Sequence, residues 1–150
     1  MKGYYKNEEA TRAIIDSQGW LHTGDIGYCD DDGCLYILGR LKEIMKVKGF
    51  QVAPAELENV LRGHPKVEDV AVIGIPDKEW GELPRGYIVA KEGKTASLTA
   101  EEIHDFLQPQ VTAYKQLRGG IEFVQAIPKS PTGKILRREL LDKYLSNCSQ

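Results

Sequence analysis

The sequence predicts an α+β fold: a small central sheet flanked by helices, with a β-hairpin ahead of it. Three observations carry this. The apolar runs "VEDVAVIGI" and "RGYIVAKEG" read as two strands either side of a turn. Two stretches with helical spacing, Leu57/Val60/Leu61 and Ile103/Phe106/Leu107, each follow a helix-start signal. Strand and helix then alternate through residues 42–150, as in one compact layered unit.

The elements follow in order. Asn7 is placed to cap a short helix bearing Ala10, Ala13 and Ile14, with Glu8 and Glu9 in its first turn. That helix ends near "SQGW". Ile26 and Tyr28, then Leu35 to Leu38, flank "DDDG", whose Asp and Gly suit the positive φ of a hairpin turn. From Leu41 the texture turns basic, and "LKEIMKVKGFQV" reads as extended after Lys46. Pro54 sits where a first helical residue is tolerated, and Gly63 with Pro65 stops that helix. "VEDVAVIGI" is a strand ended by Pro76 and Asp77. Thr99 and Glu102 make a capping box before the next helix. "IEFVQAI" is a third strand, and Leu136 to Leu145 the last helix. Residues 1–41 read as the trailing edge of something larger, because their hairpin is too small to bury a core of its own.

Composition narrows the function classes. The chain has 150 residues, the size of one ordinary domain. It is 41% hydrophobic and 28% charged, enough for a folded core and against wholesale disorder. Its net charge of −2 argues against a nucleic-acid binder, whose footprint is usually strongly basic. No apolar run approaches the roughly 20 residues that span a bilayer. "MKGYYKNEEA" has no apolar signal-peptide region, and "SNCSQ" is not a peroxisomal S-K-L address. Cys29, Cys34 and Cys148 are an odd set, expected as reduced thiols in the cytoplasm. Cys29 and Cys34 flank one turn, but no second ligand pair accompanies them, so no metal site is expected.

Some residues have chemistry on offer, each beside a plainer alternative. Asp25 of "TGD" stands at the mouth of the hairpin, where a carboxylate can accept two hydrogen bonds from a vicinal diol such as ribose. It can equally cap its own turn. Arg40, Lys42, Lys46 and Lys48 gather ahead of Gly49. Such a cluster lets a polyanion approach the backbone, or is a solvated charged face. Lys134 follows "SPTG", and a phosphate-loop reading fails on spacing: Pro128 stands where that motif needs Gly, and Ile135 where it needs Ser or Thr. As a lysine in the first turn of a helix it would oppose the helix dipole by roughly 0.3–1 kcal/mol. Small local conflicts of that kind concentrate at functional sites. His22, His64 and His104 are scattered without ligand spacing.

Taken in order, "GWLHTGDIGYCDDDGCLYILGRLKEIMKVKGFQVAPAELE" and, far downstream, "PKSPTGKILRREL" resemble the adenylate-forming superfamily. That superfamily comprises acyl-CoA synthetases, adenylation domains of peptide synthetases and beetle luciferase. "KGFQVAPAELE" is most similar to the 4-coumarate:CoA ligase and luciferase-like branch. The resemblance implies that residues 42–150 are the small C-terminal lid domain, and residues 1–41 the trailing segment of a large AMP-binding domain. It implies a ligase that joins a carboxylic acid, fatty or phenylpropanoid, to coenzyme A through an acyl-adenylate, using ATP and Mg2+ held mainly by the large domain.

The same resemblance implies the site residues. Asp25 would hold the ribose hydroxyls and Arg40 the nucleotide nearby. Lys42 would occupy the hinge. Lys46 and Gln51 would lie near the adenylate, Gly49 and Phe50 along the pantetheine path. Lys134 would bridge the α-phosphate and the substrate carboxylate. The Ser/Thr/Gly-rich phosphate loop and the acid pocket of the family do not occur in the sequence. The expectation is therefore that this chain is a C-terminal portion, inactive without its large-domain partner. The competing reading is a standalone, non-catalytic binding module derived from such an enzyme.

Overall fold

A computed structural model describes residues 1–93 and 97–148. The chain divides into two compact units, Met1–Lys42 and Glu43–Gln150.

The first unit holds helix α1 (Glu8–Ile14) and strands β1 (Asp25–Cys29) and β2 (Leu35–Arg40). Asn7 caps α1, its Oδ1 accepting the Ala10 N–H at 2.9 Å, as the sequence predicts. β1 and β2 pair antiparallel, Asp25 opposite Arg40 and Cys29 opposite Leu35. Asp30 fixes their turn by accepting the N–H groups of Asp32 and Cys34. These hydrogen bonds hold its carboxyl below the usual range, the Cys34 amide most of all. Cys29 and Cys34 are free and exposed. No residue of this unit is buried.

The second unit is built on a five-stranded sheet: β3 (Met45–Val47), β4 (Phe50–Val52), β5 (Val67–Asp77), β6 (Gly81–Ala90) and β7 (Ile121–Phe123). The strand order is β4-β3-β6-β5, all antiparallel. β7 joins β6 in parallel, Gly86 opposite Ile121. Helices α2 (Pro54–Arg62), α3 (Ala100–Leu107) and α4 (Arg137–Cys148) complete it.

Alternation along β5 explains the layers. Val70 and Val72 pack with Leu57 and Leu61 of α2 and Ile103 and Leu107 of α3. Ala71, Ile73 and Ile75 pack with Tyr87, Ile127 and Leu140 of α4. Both faces of the strand are covered, so its sequence is a continuous apolar run rather than an alternating one.

The structure corrects several boundaries. The stretch read as extended after Lys46 is a hairpin, β3 and β4 folding back at Lys48 and Gly49. β5 runs through Pro76 and Asp77, because it is zipped to β6 as far as the opposition of Asp77 and Gly81. The third strand is only Ile121–Phe123. Thr99 does cap α3, accepting the Glu102 N–H at 3.2 Å. The Glu102 side chain, however, goes to Lys66 at 2.8 Å instead of completing the box. The last helix starts at Arg137, so Lys134 precedes it and the dipole conflict does not arise.

Candidate functional site

The sequence-predicted residues of the second unit fall on two turns. In the first, Ser130 to Lys134 form a closed loop between β7 and α4. Gly133 takes φ +81°, a left-handed value that suits glycine. The Gly133 N–H donates to the Ser130 carbonyl, and the Ser130 N–H to the Lys134 carbonyl, both at 2.8 Å. The Lys134 N–H in turn donates to Ser130 Oγ at 3.1 Å. Lys129 and Ile135 close the base as an isolated β-bridge. The backbone of Lys134 is thus held on both its N–H and its carbonyl, while its side chain is 58% exposed. Proline, glycine and the serine hydroxyl together make a hydrogen-bonded pedestal for one exposed ammonium.

The ammonium has one ionic partner among the described residues. Lys134 Nζ lies 3.6 Å from Glu43 Oε1. Arg137 Nη1 meets the other oxygen of Glu43 at 3.4 Å. Arg137 Nη2 also contacts both Glu58 oxygens, at 2.8 and 2.9 Å. Glu58 is 3% exposed and accepts the Val72 N–H at 2.9 Å. Burial pushes its carboxyl up, opposed chiefly by the Arg137 cation. Sequence reasoning missed this chain of charges, since its members lie far apart. One signal was present: Pro54, Leu57, Glu58 and Leu61 are the buried positions of α2, so Glu58 sits within the apolar stripe.

The second turn is the β3–β4 hairpin. Lys48 and Gly49 both take positive φ, +49° and +83°, as a two-residue hairpin loop requires. The Lys48 N–H donates to the Trp80 carbonyl at 2.8 Å, which anchors the turn. Lys46 and Gln51 are opposed across the strands and both exposed. The Lys46 N–H donates to Glu82 Oε2 at 2.6 Å. Phe50 is 54% exposed and stacks on Tyr114 with ring centres 4.4 Å apart. A Cβ added at Gly49 would meet nothing within 4 Å, so the space over that turn is open. Lys48 Nζ and the Arg118 guanidinium both approach Trp80, at 3.9 and 4.5 Å from its centroid. Tyr114, Trp80 and Arg118 carried no sequence signal.

In the first unit, Arg40 Nε pairs with Asp25 Oδ1 at 3.0 Å. Lys42 lies in the single helical turn Leu41–Glu43 and is the last residue of that unit. Among the described residues no three His, Cys, Asp or Glu side chains group as metal ligands, and no helix is long and apolar enough to cross a membrane.

A sheet unit covered on both faces, with a lysine on a tight turn, defines a class, and comparison with known proteins places it. The profile of the AMP-binding enzyme C-terminal domain family matches residues 56–134, ending on Lys134. The chain belongs to that family. Among curated relatives, a probable 4-coumarate–CoA ligase 3 of Dictyostelium discoideum is 54% identical over 95% of this chain and 25% of its own length. The peroxisomal OPC-8:0-CoA ligase 1 of Arabidopsis thaliana is 52% identical over 98% of this chain and 26% of its own length. Among solved structures, ATP-bound MatB from Rhodopseudomonas palustris superposes with a TM-score of 0.86 at 31% identity, over 95% of this chain and 28% of that one. The chain spans about a quarter of the length of these relatives.

Proposed function

We propose that residues 42–150 act as the mobile lid of an ATP-dependent acid–thiol ligase, with residues 1–41 the trailing segment of its large AMP-binding domain. The acid is taken up as an acyl-adenylate and passed to coenzyme A, in the manner the names of the coumarate-ligase relatives suggest. The observation that carries the reading is Lys134: a side chain left exposed on a backbone that is bonded on both sides.

In the first step the substrate carboxylate attacks the α-phosphate of ATP, pyrophosphate leaves, and two negatively charged groups must approach each other. An ammonium delivered between them offsets their repulsion and stabilises the charge building on phosphorus. Because it stands on a turn of a separate unit, it can be inserted for one step and withdrawn for the next. Asp25, its Oδ1 already engaged by Arg40, would offer Oδ2 to the ribose diol, with Arg40 beside the nucleotide. Lys42, at the unit boundary, would be the hinge. In the second step the coenzyme A thiol attacks the acyl carbonyl and AMP leaves. The open space over Gly49 and the exposed ring of Phe50 suit a thin pantetheine arm. Lys46 and Gln51, side by side, would face the adenylate. Mg2+, when bound, neutralises phosphate charge; its ligands in this reading belong to the large domain and the phosphates.

The three free, exposed thiols favour a cytoplasmic location within this proposal. The partner is the large adenylation domain, and no nucleic acid takes part. The test is a graft: this chain replaces the matching C-terminal quarter of the Dictyostelium relative. The graft should release pyrophosphate from ATP and a responsive carboxylic acid, and form the CoA thioester. The 150-residue chain alone should do neither. A graft no more active than the large domain alone would favour the non-catalytic binding module.

A further inference from the structure

We infer that Glu43 and Arg137 are positioning residues for Lys134, forming a relay that ties the lysine's resting place to the centre of the sheet. The relay begins at β5, where the Val72 N–H pins Glu58. Glu58 grips Arg137 through both carboxylate oxygens, and Arg137 reaches Glu43 Oε2. Glu43 then offers Oε1 to Lys134. The links weaken outward. The inner one is short and largely out of solvent, a single Arg137 nitrogen, Nη2, meeting both Glu58 oxygens. The outer one, at 3.6 Å, is ionic without a hydrogen bond and lies at the surface.

That gradient is what a reversible handover needs. An exposed pair of this kind shifts a two-state balance by no more than about fivefold. It can direct an idle ammonium, yet yield to a polyphosphate of higher charge. Glu43 is also the first residue of its unit, immediately after Lys42. A rotation of the backbone at Lys42 would swing the chain leading into Glu43 while Arg137 stays fixed to Glu58. The carboxylate that holds Lys134 is therefore the group best placed to sense the hinge. The functional sense of this relay rests on the ligase reading above; the positioning itself does not.

The experiment separates the two. In the 150-residue chain, carbon relaxation of the lysine ε-methylenes is measured, the Lys134 signal being assigned by its loss in Lys134→Arg. Glu43→Gln should loosen Lys134, and Arg137→Lys should do so partly. Glu56→Gln, which removes the partner of Lys115 at another place, should leave it unchanged. In the unsubstituted chain, about 1 M salt, where the screening length is about 3 Å, should loosen Lys134 as Glu43→Gln does. That arm keeps the test alive should a variant fail to fold. A Lys134 signal indifferent to both Glu43→Gln and salt overturns the relay. In the grafted ligase, Glu43→Gln should change adenylate formation by no more than about fivefold, and not at all in a Lys134→Ala background. If Lys134 loosens as expected but adenylate formation ignores Lys134 altogether, the relay stands and the ligase reading falls.

Discussion

Residues 1–42 and 43–150 contrast in how they are held. The first unit rests on short-range hydrogen bonds. Asn7 caps α1, Asp16 accepts the N–H groups of Gln18 and Trp20, and Asp30 ties the hairpin turn. It buries no residue, and Trp20, Leu35 and Ile37 lie well exposed. The second unit buries both faces of its sheet and sends charged contacts inward from α4 to α2. Local bonds shape a segment, but apolar burial makes a unit able to keep its shape as one body. The two candidate turns sit on the unit that has that property.

Cutting the chain at the boundary gives the largest expected effect. A chain beginning at Glu43 should unfold cooperatively, while residues 1–42 alone should show no transition. In the whole chain, the amides of β1 and β2 should exchange through local opening. That of Val72 should wait for global unfolding, about 5 kcal/mol or more. Equal protection in the two places would erase the contrast.

Single substitutions sharpen it. Leu61 is fully buried, so Leu61→Ala should cost about 2–5 kcal/mol in denaturant melts. Tyr28→Ala should stay within about 0.5 kcal/mol, although Tyr28 stacks on Tyr36 at 5.0 Å. Next comes Arg137→Met, which leaves Glu58 buried without its strongest partner and should cost about 3 kcal/mol near neutral pH. Burial already raises the Glu58 pKa above its ordinary 4.5. A group with a raised folded pKa is better tolerated protonated. Losing the Arg137 cation raises the Glu58 pKa further, so the deficit should shrink as pH falls from the variant's higher pKa toward that of the unsubstituted chain. A deficit independent of pH would mean that lost packing, not the carboxylate, sets it.

The subtlest contrast lies in acid. His64 is 4% exposed, and burial lowers its pKa below the ordinary 6.5, against the pull of Glu102. Its Nδ1 accepts the Lys66 N–H. A lowered folded pKa means stability that is complete above 6.5 and drains as pH falls from there toward the folded value. His64→Asn should flatten that segment of the stability–pH curve.

Much of this was legible in the chain. The Asn7 and Thr99 caps, Pro54 at the head of α2 and the apolar runs of β5 and β6 are local or periodic signals. The β3–β4 hairpin was also written locally, as "VKGF", yet Lys48 masks the usual Asn or Asp of such a turn, so the stretch read as extended. The turn that carries Lys134 was legible through "SPTG", though the helix after it starts three residues beyond the lysine. What sequence did not disclose is long-range. Glu43, Glu58 and Arg137 are joined only by the fold, as are Phe50 with Tyr114 and Lys48 with Trp80. Charged residues take partners that periodicity cannot name, and Glu102 chose Lys66 over its own cap for the same reason.

In the ligase proposed above, Lys134 serves the first chemical step from a unit that then moves away. In the grafted ligase the two half-reactions are measured apart, with Lys134→Ala and Gly49→Val compared against the unsubstituted graft. Lys134→Ala should slow adenylate formation by about 10²–10³, the usual scale for one preorganised electrostatic partner, and leave thioester formation from supplied acyl-adenylate nearly intact. Gly49→Val, which puts a branched side chain at φ +83° over the open turn, should do the reverse. Equal slowing of both steps by Lys134→Ala would contradict the account.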